Sequence, residues 1–194
     1  NMALVSVLQE ALLDNGIDRH LLSYLDSRER SAVDEMLQQD DLIHLIIPRG
    51  GESLIRSVAE KSRIPVLKHY KGVCHVYVHK SADPAMARAI ILNAKVQRHG
   101  VCNAAETLLV DAALAETFLP AALQDLQKAG VEIRACERTR DIYSEKVLAA
   151  SEEDYYTEFL DLILAVKIVD DIDAAVDHIN RYGSAHTDAI VTRD

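Results

Sequence analysis

The chain has few aromatic residues, few cysteines and no long hydrophobic run. None of its 194 residues is Trp and only two are Phe, so a surface that stacks on nucleic-acid bases is a poor hypothesis. No apolar stretch approaches the length of a membrane span, and no signal peptide precedes the first helical pattern. These absences argue against nucleic-acid binding and membrane insertion as main functions.

The three cysteines are widely spaced and form no CxxC pair; they are Cys74, Cys102 and Cys136. This odd number and spacing make a zinc cluster or a disulfide framework improbable, and a reducing cytoplasmic location fits best. The histidines at 69, 75 and 186 show no spacing typical of metal ligands, so no metal is expected.

The composition is that of a globular protein with an acidic surface. Hydrophobic residues make up 49% of the chain, enough for one large domain or two small ones. The 31 acidic residues outnumber the 21 basic ones, and the net charge is −10. This charge argues against a nucleic-acid or anionic-membrane surface.

Helical and strand patterns alternate along the chain, which predicts the α/β class. The predicted helices cover residues 4–13, 28–38, 54–59, 84–97, 114–129 and 171–182. The predicted strands cover residues 20–24, 42–47, 64–69, 73–79, 106–110, 131–134, 162–169 and 188–192. The stretch 137–154 is polar and irregular, with loops and short helices expected.

A glycine-rich turn between the second and third predicted strands is one candidate ligand site. It contains Arg49, Gly50, Gly51 and Ser53 and leads into a helix. The N–H groups at a helix N-terminus favour phosphate, so the turn could contact a nucleotide. A plain tight turn is an equally good interpretation, because the sequence has neither a GxGxxG nor a P-loop motif.

Cys102 occupies the second candidate site. A long amphipathic helix runs into a short turn with Gly100, then the cysteine, then an apolar strand. A thiol at such a junction lies near backbone N–H groups and can become a nucleophile. Local spacing leaves open the alternative of a small buried apolar residue.

Several segments together resemble the gamma-glutamyl phosphate reductases of the aldehyde dehydrogenase superfamily. They are IPRGGESLIR at 47–56, PVLKHYKGVCHVYV at 65–78, NAKVQR at 93–98, GVCNA at 100–104, ETLLV at 106–110, EFLDL at 158–162 and AHTDAIVT at 185–192. The resemblance implies an aldehyde dehydrogenase-like fold, with residues 1–72 the later part of a Rossmann-like NADP-binding domain and 73–194 most of the catalytic domain. Because the chain opens inside a helical pattern and ends just after a strand, we expect an internal fragment that is inactive by itself.

The resemblance also implies a reaction in proline synthesis: NADPH-dependent reduction of L-glutamyl 5-phosphate to L-glutamate 5-semialdehyde, with release of phosphate. Cys102 would carry the acyl group as a thioester. By the same resemblance, the cofactor contacts would be Arg49, Gly50, Gly51, Ser53 and Glu158. Weaker candidates for the substrate are Lys95, Arg98 and Asn103, although a solvated helix end explains Lys95 and Arg98 equally well.

One departure from the superfamily pattern bears on the chemistry. Hydrolytic aldehyde dehydrogenases carry a glutamate that activates water against the thioester, in a segment that corresponds to residues 66–72. No glutamate occurs there, which fits an enzyme that must not hydrolyse its thioester. The alternatives are a CoA-acylating member of the superfamily or an inactive fragment. A homo-oligomer and a functional association with glutamate 5-kinase are the expected partnerships.

Overall fold

The computed structural model describes residues 1–194, which form two compact units, Asn1–Lys68 and His69–Asp194. The sequence places a domain boundary after residue 72, and the functional assignment of the two domains stays a prediction. None of the helices combines the length and apolar character that crossing a bilayer requires.

The first unit is built from three α-helices and one short 3-10 helix. They are α1 (Met2–Asp14), the 3-10 helix Arg19–Leu21, α2 (Arg30–Met36) and α3 (Glu52–Lys61). Helix α1 ends just before Gly16, whose φ of 70° suits glycine. The buried residues of this unit are Leu37, Ile55, Val58 and Ile64.

Three predictions for the first unit need correction. Residues 20–24 are not a strand, because the Asp18 side chain accepts a hydrogen bond from the His20 N–H and starts the 3-10 helix instead. The helix predicted over residues 28–38 is shorter, since α2 covers Arg30–Met36 and no side chain caps its N-terminus. The predicted strands at 42–47 and 64–69 pair only through one parallel bridge between Ile46 and Val66. Parallel strands need neighbours on both sides to be buried, and within this unit each segment has only the other.

The second unit is a six-stranded sheet in which every pairing is parallel. Its strands are β1 (Cys74–Val78), β2 (Ala105–Asp111), β3 (Glu132–Ala135), β4 (Val147–Ala149), β5 (Ile163–Val169) and β6 (Asp188–Val191), in the order β4-β3-β5-β2-β1-β6. The helices are α4 (Pro84–Val96), α5 (Ala112–Lys128), α6 (Glu137–Ile142), α7 (Glu152–Tyr156) and α8 (Ile172–Tyr182). The α/β class and the helix and strand pattern predicted for this part of the chain are confirmed, apart from β4.

Both faces of the sheet are covered, which explains why β1 and β2 are buried along their whole length. Residues of β1, β2 and β5 pack with α4 and α5 on one face, in a cluster that includes Leu108 and Phe118. On the other face, Tyr77 and Leu109 pack against Ala175 of α8. Strands β2, β1 and β6 are adjacent and parallel. The loops that lead into them therefore meet at the amino-terminal edge of the sheet.

Candidate active site

Cys102 lies in the tight turn between α4 and β2, as its sequence pattern predicts. Helix α4 starts at a cap in which the Asp83 side chain accepts hydrogen bonds from two backbone N–H groups, and it ends at Val96. The intervening turn leaves Cys102 exposed. No hydrogen bond of the chain uses the Cys102 N–H as donor, so that group is free to meet a ligand beside the thiol.

The other two thiols are less suited to act as nucleophiles. Cys74 is buried in β1, and burial, followed by the negative charge of Asp188, raises the pKa of its thiol to about 11. Its Sγ donates to the Cys102 carbonyl at 3.2 Å. Cys136 is half-buried, with its Sγ 3.3 Å from the Thr139 hydroxyl. Cys102 is the only exposed thiol of the three.

Gly72 fixes the backbone around the thiol. A Cβ added at this position would lie 1.8 Å from the Cys102 carbonyl oxygen, so the two backbones can approach this closely only with glycine at this site. The Gly72 N–H donates to Glu158 Oε1 at 2.8 Å. Glu158 and Cys102 both contact this one residue, although they are far apart in the sequence.

Two histidines join Cys102 at this edge of the sheet. His69 precedes β1, Cys102 precedes β2 and His186 precedes β6, and these strands are neighbours in the order β6-β1-β2. The ligand atoms of the three side chains all lie within 4.8 Å of one another. The histidine rings contact edge to face, with centroids 5.1 Å apart. The sequence spacing gave no sign of this cluster, because strand order alone brings the three segments together.

Lys95 requires a correction. Its side chain is fully buried, and its Nζ donates to Glu106 Oε2 at 2.7 Å. The side chain is therefore removed from solvent, contrary to the solvated helix end, and its role as a substrate contact stays a prediction. Burial lowers the pKa of Lys95 and raises that of Glu106, while their mutual attraction opposes both shifts. Glu106 also accepts a hydrogen bond from the Leu160 N–H at 3.2 Å, so the pair ties α4 and β2 to the segment after Glu158.

The remaining substrate candidates stay accessible. Arg98 and Asn103 are exposed and flank Cys102 in the same turn. Their positions leave the prediction of a substrate contact open. Glu158 is half-buried, and one of its carboxylate oxygens accepts the Gly72 N–H.

The glycine-rich turn belongs to the first unit. Gly51 is the N-cap of α3, and no side chain caps this helix. Arg49, Gly50 and Ser53 are exposed around it. The uncapped first turn leaves backbone N–H groups for an anion.

A groove of about 250 Å³ lies between α2 and α3, and Ser53 is among the residues that line it. Arg30 and Lys61 line it, and so does Asp34, which forms an ion pair with Lys61 at 3.0 Å. Backbone donors, the Arg30 cation and a groove are features that fit a phosphate-bearing cofactor.

Comparison with known proteins identifies the class. The sequence profile described as the aldehyde dehydrogenase family matches residues 1–140, and the chain belongs to that family. The predicted aldehyde dehydrogenase-like fold is confirmed.

Within the family, the chain is similar to gamma-glutamyl phosphate reductases, as its motifs predict. It is 56% identical over 194 residues to the one from Thermodesulfovibrio yellowstonii and 53% identical to the one from Citrifermentans bemidjiense, covering 100% of this chain and 46% of each relative. The crystal structure of the Thermotoga maritima gamma-glutamyl phosphate reductase superimposes with a TM-score of 0.92 at 43% identity, over 100% of this chain and 47% of that one. The chain thus spans about half the length of the relatives it matches.

Proposed function

We propose that the protein containing this chain reduces L-glutamyl 5-phosphate to L-glutamate 5-semialdehyde and releases phosphate, as a step in proline synthesis. The observation that carries the proposal is the exposed Cys102 thiol, held at a helix–strand junction with its own N–H unbonded. The named relatives support the choice of substrate.

The chemistry follows from what the thiol can do. An acyl phosphate is a reactive acyl donor, so the Cys102 thiolate can displace phosphate and hold the acyl group as a thioester. The free N–H of Cys102 can donate to the oxyanion that develops during attack. Bound NADPH would supply the hydride that converts the thioester to the oxyanion of a thiohemiacetal. Cleavage of the C–S bond then returns the Cys102 thiolate and releases the aldehyde.

The cofactor contacts proposed are the turn at Arg49, Gly50, Gly51 and Ser53 and the carboxylate of Glu158. The uncapped N-terminus of α3 suits a phosphate, and a half-buried carboxylate suits ribose hydroxyls. Use of NADPH rather than NADH is part of the proposal. The homo-oligomer, the association with glutamate 5-kinase and the cytoplasmic location also stay predictions.

The nucleophile is tested by the Cys102→Ala substitution in the intact protein. We expect the turnover to fall by roughly 10³-fold or more, because no other exposed thiol is available. Cys136→Ala is the matched control and should keep full turnover. Unchanged activity of the Cys102 variant would reject the thioester mechanism.

The reverse reaction distinguishes the two acyl acceptors. The intact enzyme should oxidise the semialdehyde with NADP⁺ only when inorganic phosphate is present. Dependence on CoA instead would favour the CoA-acylating alternative. Failure of the intact enzyme with both acceptors would overturn the proposal.

A further inference from the structure

The cluster formed by His69, Cys102 and His186 places beside the proposed nucleophile two histidines that the proposed reaction does not use. Two imidazoles and one thiol are the nitrogen and sulfur ligands that zinc-type cations prefer. The three side chains come from separate segments, and their ligand atoms lie within 4.8 Å of one another. We propose that these three residues bind a thiophilic divalent cation such as Zn²⁺, and that the bound ion blocks the Cys102 thiol reversibly.

The geometry requires only small side-chain movements. In a tetrahedral site with Zn–S of about 2.3 Å and Zn–N of about 2.0 Å, neighbouring ligand atoms lie roughly 3.3–3.5 Å apart. The present ligand atoms lie within 4.8 Å of one another, so the longest separation has to shorten by roughly 1.3–1.5 Å. His69 and Cys102 are exposed, so rotation of their side chains can close this gap without moving the sheet.

One of the histidines is already oriented for such a role. His186 Nδ1 lies 2.9 Å from the Thr187 hydroxyl, a contact that an ion bound at Nε2 would leave in place. Metal-binding imidazoles are usually held by a hydrogen bond at the other ring nitrogen, which sets the tautomer and the ring direction. The open side of Cys102 leaves the fourth position of a tetrahedral site to water.

Binding changes the thiol as well as covering it. The S–H bond of Cys102 breaks, its proton passes to the buffer, and the sulfur donates an electron pair to the cation. No oxidant or reductant is consumed, so a chelator reverses the reaction. A sulfur lone pair engaged with the cation cannot attack an acyl phosphate, and the proposal therefore gives the nucleophile a reversible off state.

Cd²⁺ and Co²⁺ provide readouts that do not depend on enzyme activity. Titration of the intact reduced protein with Cd²⁺ should produce one thiolate-to-metal charge-transfer band per chain, and Co²⁺ should give the visible spectrum of a tetrahedral site. Zn²⁺ should displace both ions and should slow alkylation of Cys102 by iodoacetamide, and a chelator should restore the alkylation rate.

Substitutions test the ligand set. Cys102→Ala should abolish the charge-transfer band. His69→Ala or His186→Ala should each weaken Zn²⁺ binding by about 10-fold or more, because losing a ligand should cost at least as much affinity as losing a residue that only hydrogen-bonds to a ligand. His99→Ala, in the same turn as Cys102, is the matched control and should bind normally. Correct folding of each variant is checked by circular dichroism.

Two results would overturn the proposal. One is a Zn²⁺ affinity unaffected by both His69→Ala and His186→Ala, which would reduce the site to a single thiol. The other is loss of the band in Cys74→Ala with retention in Cys102→Ala. Cys74 Sγ lies 3.9 Å from His186 Nδ1, so this second result would assign the cation to the buried thiol instead.

Discussion

Gly72 is the residue whose replacement should most directly disturb the turn around the thiol. A Cβ at Gly72 would meet the Cys102 carbonyl oxygen at 1.8 Å and its carbonyl carbon at 2.8 Å. Both are backbone atoms, so the clash cannot be relieved by rotating a side chain. We expect Gly72→Ala to lower the free energy of unfolding by about 1–3 kcal/mol and to change the alkylation rate of Cys102. Urea denaturation and iodoacetamide kinetics measure the two effects.

Gly100→Ala is the control from the same turn. The nearest atom to a Cβ at Gly100 is the Leu160 carbonyl oxygen at 3.8 Å, an ordinary contact distance. This variant should unfold and alkylate like the wild type. Equal behaviour of the two alanine variants would contradict the close approach of Gly72 to Cys102.

The buried pair Lys95–Glu106 should show strong coupling. Removing one partner leaves an uncompensated charge in the core, so Lys95→Met or Glu106→Gln alone should cost about 3–5 kcal/mol. The double variant should be less destabilised than the sum of the two, because both charges are removed together. Denaturation of the four proteins in a double-mutant cycle gives the coupling free energy, and an additive result would argue against the ion pair.

At the scale of elements, Asp111 joins the end of β2 to the start of α5. It is buried, its carboxylate accepts from the Ala113 N–H at 2.9 Å, and it also accepts from the Tyr77 hydroxyl at 3.1 Å. Asp111→Ala removes the cap of α5 and leaves the buried Tyr77 hydroxyl without its acceptor. We therefore expect the free energy of unfolding, measured by heat or urea, to fall by about 2–4 kcal/mol. Asp111→Asn keeps an acceptor for the cap and should lose less. Similar losses in the two variants would show that the side-chain oxygen is not the stabilising group.

The elements that the sequence predicts well are those whose signal is local. Helix α4 carries an Asp cap and a proline at its first turn, and β5 is a continuous apolar run, so both are recognisable alone. The segment 42–47 is as apolar as β5, but it lacks the neighbouring strands with which it could form a β-strand. Strand β4 could not be predicted, because its three residues are too few to show a pattern. It forms because it pairs with the edge of β3.

The candidate site divides in the same way. Cys102 follows from a local pattern of helix, glycine turn, cysteine and strand. The positions of His69 and His186 follow from the strand order β6-β1-β2. That order depends on how the crossover helices pack, so no single sequence segment predicts it. The burial of Lys95 was missed for a related reason. Its partner Glu106 lies on the other side of the Cys102 turn, and the two side chains form a buried ion pair where the sequence suggested a solvent-exposed lysine.

At the scale of the molecule, the buried histidines between the sheet and α8 should make stability depend on pH. Burial, followed by the charge of Lys167, lowers the pKa of His178 to about 3. Its Nδ1 lies 3.3 Å from Lys167 Nζ, and its ring contacts those of Tyr155, Tyr182 and His75. Burial also lowers the pKa of His75, against the opposing effect of Asp188.

The sign follows from proton binding in the two states. Between about pH 6.5 and the folded-state pKa, the unfolded chain binds a proton that folded His178 does not, so the free energy of unfolding falls as the pH falls, with a slope of up to about 1.4 kcal/mol per pH unit for this group. His178→Gln should flatten the dependence between about pH 6 and 4, and adding His75→Gln should flatten it further. Urea denaturation followed by circular dichroism at several pH values measures the slope, which is independent of any overall destabilisation by the substitution. A slope identical to that of the wild type would mean that His178 takes up its proton in the folded protein as readily as in the unfolded chain, contrary to its burial.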